Sequence, residues 1–164
     1  MESRAKLLGH PIHQMLVVFP LGLLATSIVF DVIALLTHHA GLALAAFYMI
    51  AAGVIGALAA AVFGLIDFLA IPHGTRARRV GTLHGIGNVI VVVFFAASWF
   101  IRRPDPSHPA ILAIVLSALG AALSGATAWL GGELVDRLGV GVDDGAHLDA
   151  PSSLRHETVH ARER

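Results

Sequence analysis

Residues 42–71 read LALAAFYMIAAGVIGALAAAVFGLIDFLAI. In thirty residues there is a single acid, Asp67, and no Lys or Arg. A helix crosses a ~30 Å hydrocarbon core with about 20 apolar residues, and a barrel strand needs only about ten. Lipid accepts only helices and closed barrels, because backbone polar groups there must be satisfied internally. This stretch is therefore read as a membrane-spanning helix. Three more share its character, at 12–37, 80–101 and 109–135.

The whole chain agrees. Of 164 residues, 56% are hydrophobic and 13% charged, with a mean hydropathy of +0.78. Soluble domains carry about 25% charged residues, so this chain could not coat a globule with them. Cysteine is absent, which excludes disulfides, iron–sulfur clusters and thiolate zinc sites. A formal net charge of zero argues against a nucleic-acid partner. The first span follows Arg4 and Lys6 as a signal peptide would, but its apolar run is too long for one and is read as retained.

Links between spans are short (THHAG, PHGTRARR, RRPDPSHP), so neighbours must run antiparallel. The expected fold is all-α: a polytopic, up-down-up-down bundle over residues 1–138, followed by a polar tail, 139–164, lying loosely on the surface. Pro20 is expected to kink the first helix. Trp99 and Trp129 are expected at opposite interfaces. Small residues every fourth position (Ala52, Gly56, Ala60, Gly64; Gly120, Ser124, Ala128, Gly132) are expected to bring helices close. Arg4, Lys6, Arg76, Arg78, Arg79 and Arg137 share the side of the termini, with Arg102 and Arg103 opposite. The positive-inside rule then puts both termini on the cytoplasmic side.

Polar groups at membrane depth are the functional candidates. Asp31 and Tyr48 fall at similar depth, so a hydrogen bond between them is expected, with proton handling as the alternative. On the termini side every helix delivers a polar residue: His10 and His13, Asp67 with His73 beyond it, His84 with Asn88 one turn on, and Glu133. A weak repeat, HPIHQMLVV against HGIGNVIVV, aligns His10 with His84 and helices 1–2 with helices 3–4, about an axis along the membrane normal. Depth instead matches His13 with His84. Either way the first and third helices become diagonal partners with facing histidines.

Diagonal imidazoles suit bis-histidine ligation of a b-type haem by His84 and by His13 or His10. Gly85 and Gly87 would give clearance, and Asn88, Asp67 or Glu133 would orient an imidazole. A second reading gathers His10, His13, His84, Asp67 and Glu133 around copper, zinc or iron. The third is structural: His10 caps the helix, His13 reaches water and His84 bonds Asp67. His38, His39, His108, His147, His156 and His160 are read as solvated, a second haem on the first three being a remote option. No Gly-x-Ser-x-Gly elbow, Walker A loop or HExxH helix suggests an enzyme.

With GHPIHQMLVVFPLGLL, the Asp31 of VFDVIALL, GLIDF, LHGIGN and WLGGELVDRLGVGV in view, residues 8–142 resemble the bacterial four-helix membrane family called domain of unknown function 2231. Gln14 and Asp136 stand where that family often has Pro and Tyr. Members occur fused to Rieske-type or c-type cytochrome domains, so the resemblance implies a redox setting. The expected function is one-electron transfer, with the bilayer, a redox partner protein and a second copy of the chain as partners. A non-haem metal protein and a cofactor-free accessory subunit are the alternatives.

Overall fold

The structure, a computed structural model, describes residues 1–154; His156 and His160 lie outside them. It is an all-helical bundle with four helices long and apolar enough to span a membrane: Ile12–Thr37, Ala40–Ala70, Arg76–Arg102 and Ile111–Arg137. The first is split into α1 (Ile12–Leu16) and α2 (Val18–Thr37). The interruption falls just where Pro20, lacking an N–H, leaves the Leu16 carbonyl without its helical donor. α3 is Ala40–Ala70, α4 is Arg76–Arg102 and α5 is Ile111–Gly132, extended by a π-helical turn over Glu133–Arg137.

α4 begins earlier than its apolar run because Thr75 caps it. The Thr75 hydroxyl accepts from the Arg78 N–H at 3.1 Å. Arg78 then donates to the Phe68 carbonyl at 2.6 Å, satisfying the end of α3. Ahead of α1, Lys6–Leu7 and His10–Pro11 form a minimal antiparallel hairpin. Leu8 and Gly9 turn it with φ of 50° and 85°, the left-handed pair a tight hairpin demands. His10 is thus a strand residue, and Pro11 occupies the N-cap without any side-chain cap bond. The expected capping role of His10 is not observed.

α2 packs tightly on α3 and α4 on α5, so the bundle is two helical hairpins. They meet through α3 against α4 and α2 against α5, with α2 and α4 diagonal. Leu24, Ile50, Val91 and Phe95 form the core, flanked by Ile28, Val54, Trp99 and Ala121. Trp99 stacks on Phe47 (centroids 5.4 Å, planes 14°) and packs against this core; Trp129 is exposed. Helix approach uses Gly53 against Leu24, Gly56 against Phe19 and Gly120 against Phe95. On α5 the contact glycines are Gly120 and Gly131, so the expected stripe makes contact at Gly120 and has turned away by Ala128, which is exposed.

The tail lies across the N-terminal segment. The Met1 ammonium donates to the Gly139 carbonyl at 3.1 Å, and the Gly141 N–H donates to the Met1 carbonyl at 2.9 Å. Lys6 pairs with Glu2 and, at 3.6 Å, with Asp143.

Candidate functional site

The two hairpins carry the same site twice. In the first, His13 Nδ1 lies 2.9 Å from the Ala60 carbonyl oxygen of α3. In the second, His84 Nδ1 lies 2.9 Å from the Thr127 carbonyl oxygen of α5. A carbonyl can only accept, so both imidazoles carry a proton on Nδ1, and in its neutral form each presents an Nε2 lone pair. Each carbonyl is followed four residues later by a glycine, Gly64 or Gly131, which leaves it uncovered for the ring. A Cβ on Gly64 would sit 2.9 Å from the His13 ring, and one on Gly131 3.2 Å from His84.

Both rings are half-buried. They differ in what meets Nε2. Asn88 Nδ2 donates to His84 Nε2 at 3.1 Å and to the His84 carbonyl at 2.9 Å. The Asn88 carbonyl oxygen in turn accepts from the Thr127 hydroxyl at 3.0 Å. Asn88, one turn along α4, therefore meets His84 as a donor to Nε2, whereas the expectation had it accept from the imidazole N–H. Val17 takes the equivalent place beside His13.

The remaining candidates go elsewhere. His10 is exposed, its Nδ1 3.2 Å from the Leu8 carbonyl. Asp67 accepts from the Ser3 hydroxyl at 2.8 Å and the Arg4 N–H at 2.7 Å, so it docks the N-terminal segment. Glu133 pairs with Arg76 at 2.5 Å. Among the described residues no three His, Asp or Glu side chains converge on one point, so the five-residue metal set is not assembled. The expected His84–Asp67 bond is replaced by the Thr127 carbonyl. Gly87 provides no clearance: a Cβ there would meet Thr127 Cγ2 at 2.5 Å, whereas Gly85 faces open space.

The expected Asp31–Tyr48 bond is also absent. Tyr48 is exposed, and Asp31 is held by Arg102 in a two-pronged pair of 2.7 and 2.6 Å. Arg102 is 0% exposed and Asp31 1%. Arg102 Nε donates to Ser98 at 3.1 Å and Nη2 to Ser117 at 3.2 Å. The pair is thus fully enclosed, and Arg102 is no loop cation. Beside it a cavity of about 350 Å³ opens on the far face between His38, His39 and His108, with Asp31 on its wall. Eighteen residues separate Asp31 from His13, roughly 27 Å of helix, so the cavity and the histidine pair are separate places.

The glycines predict a contrast. Gly64→Ala and Gly131→Ala are expected to push the imidazole off its carbonyl, losing about 1 kcal/mol each. Gly85→Ala, with nothing nearby, is expected to hold or gain stability through helix propensity. Melting in detergent and imidazole ¹⁵N shifts read the two effects.

Four spanning helices with polar side chains directed into the bundle define an integral membrane protein. Residues 9–144 match the family model of DUF2231, described as a predicted membrane protein, and the chain belongs to that family. Searches of curated proteins and of solved structures return no match.

Proposed function

We propose that the protein binds one b-type haem between its hairpins, where His13 and His84 would hold it, and passes single electrons to a redox partner protein. The observation that carries this is the duplicated anchor: two imidazoles on diagonal helices, each with Nδ1–H fixed to a backbone carbonyl. Such anchoring sets the tautomer and ring orientation and leaves Nε2 as the ligating atom, as metal-bound histidines require. The donor set fits a haem better than a bare ion, because two neutral nitrogens suffice to complete its ligation, while a zinc or copper ion would find no third His, Asp or Glu ligand among the described residues. A bound haem would supply a one-electron couple. The chain would hold it by the two rings, with Asn88 yielding the His84 lone pair and remaining bonded to Thr127.

The same reading puts the chain in a bacterial inner membrane with both termini cytoplasmic. Arg102 is buried inside the bundle, so the far side presents Arg103 against Arg4, Lys6, Arg76, Arg78, Arg79 and Arg137 on the other. The redox partner would then approach from the cytoplasm.

Protein purified from haem-replete cells is expected to show a Soret band and split α and β bands on reduction. His13→Ala and His84→Ala should each abolish the bis-histidine spectrum, and His10→Ala should leave it. A preparation that stays colourless after haem addition overturns the haem reading. Stoichiometric copper, zinc or iron without porphyrin would move it to a non-haem metal protein, and neither would move it to an accessory subunit.

A further inference from the structure

The inward faces of the two hairpins are in register residue by residue. His13 and His84, Leu24 and Phe95, Ser27 and Ser98, and Asp31 and Arg102 are all 71 positions apart. On the second helix of each hairpin, Ala46 and Ala113, Gly53 and Gly120, Ala60 and Thr127, and Gly64 and Gly131 are all 67 apart. The pairs share environments as well as spacing. Leu24 and Phe95 are both in the core, Ile28 and Trp99 both flank it, as do Val54 and Ala121. Ser27, Ser98, Ala46 and Ala113 are all 0% exposed. The register sought at His10 is therefore three residues off: His13 is the mate of His84, and His10 that of Gly81.

Equivalent residues that touch must lie on the axis relating the copies. Asp31 and Arg102 touch, so the buried ion pair stands on that axis. At most other positions along these faces the mates are alike, histidine with histidine, serine with serine, glycine with glycine; Ala60 with Thr127 and Ile50 with Ser117 differ in polarity but carry no charge. Only at this position do they have opposite charge. Two copies of the first hairpin brought together in this way would bury Asp31 against Asp31, and two copies of the second would bury two guanidinium groups. Each is an uncompensated pair of like charges in low dielectric. The surroundings are also one-sided. Arg102 finds the hydroxyls of Ser98 and Ser117. The mate of Ser117 is Ile50, and Ser27 turns back to its own helix at the Leu24 carbonyl, 2.7 Å away.

We infer that Asp31 and Arg102 are the address of an interaction surface: they make the first hairpin accept the second hairpin and reject a copy of itself, in this chain or in a second copy of it. Attraction in the right pair and repulsion in the wrong ones together give the specificity. The surface is independent of the haem reading, because it lies at the other end of the bundle and needs no cofactor.

Full-length D31R, R102D and the D31R/R102D double variant, on separate tags, test this. Each single variant alone should fall at least about tenfold in recovered monodisperse protein, since it buries two like charges. The double variant should recover as a monomer. The two single variants expressed together should recover as a mixed dimer, because the first hairpin of each then matches the second hairpin of the other. Single variants recovered at the wild-type level would overturn the inference, as would a double variant no better than the singles. Rescue by the double variant without any mixed dimer would also overturn it, by showing a pair that stabilises but does not select.

Discussion

Replacing Arg102 with alanine is expected to destabilise the bundle by about 3–5 kcal/mol, the usual consequence of removing one partner from a buried ion pair. The Asp31 carboxylate would remain 1% exposed with both oxygens unpaired, and the Ser98 and Ser117 hydroxyls would lose their shared donor partner. Asp31→Ala should act similarly through the stranded guanidinium. Replacing both with apolar residues of similar volume, as in D31L/R102M, should come out far milder, since packed apolar side chains often match or exceed a buried ion pair in stability. Reversible unfolding in mixed detergent measures all three. Two single variants within about 1 kcal/mol of wild type would show that the pair is not energetically enclosed.

Phe95→Ala is the second large effect, at about 2 kcal/mol. Phe95 is 0% exposed and central to the core, with its ring against Gly120, where a Cβ would come within 3.0 Å. In water such a truncation loses both transfer energy and packing. In a bilayer the unfolded reference still keeps the ring in hydrocarbon, so mainly the cavity contributes. At ~24 cal/mol per Å³ and a void of roughly 100 Å³, that is a little over 2 kcal/mol. Leu24→Ala, at the equivalent position with a smaller side chain, should be milder. The same unfolding titration ranks them, and Leu24→Ala exceeding Phe95→Ala would contradict this packing account.

The candidate site was partly legible in the sequence. His13, His84 and Asn88 could be picked out because ionisable or amide side chains at membrane depth are rare, and helical spacing alone puts Asn88 beside His84. Their anchors could not be seen. The acceptors are the backbone carbonyls of Ala60 and Thr127, which no side-chain motif announces. The only trace is a glycine four residues further on, one signal among seventeen glycines. Asp67 and Glu133 looked like ligands because they end their helices near the histidines; Ser3 and Arg76 take them instead.

Arg102 was the larger surprise. Next to Arg103, at the end of an apolar run, it has the sequence profile of a loop cation, and Asp31 seemed to have a partner in Tyr48 at similar depth. Depth along the normal can be counted from sequence, but the angle at which a side chain leaves its helix, and which helix lies opposite, cannot. The repeat shows the same limit. Matching letters, HPI with HGI, put the copies three residues out of register, whereas the buried stripes Pro20–Leu24–Ser27–Asp31 and Val91–Phe95–Ser98–Arg102 align them.

Sequence alone was enough for the four helices, their alternating directions and their place in a membrane, because length and hydropathy act one segment at a time and lipid leaves few alternatives. Tertiary structure decided how the halves align and which polar groups meet: His13 rather than His10 at the position equivalent to His84, carbonyls rather than carboxylates as anchors for both, and Asp31 with Arg102 across the diagonal. These pairings depend on the rotation of each helix about its own axis. Rotation is set by close packing at glycines such as Gly53, Gly64, Gly120 and Gly131, between residues far apart in the chain.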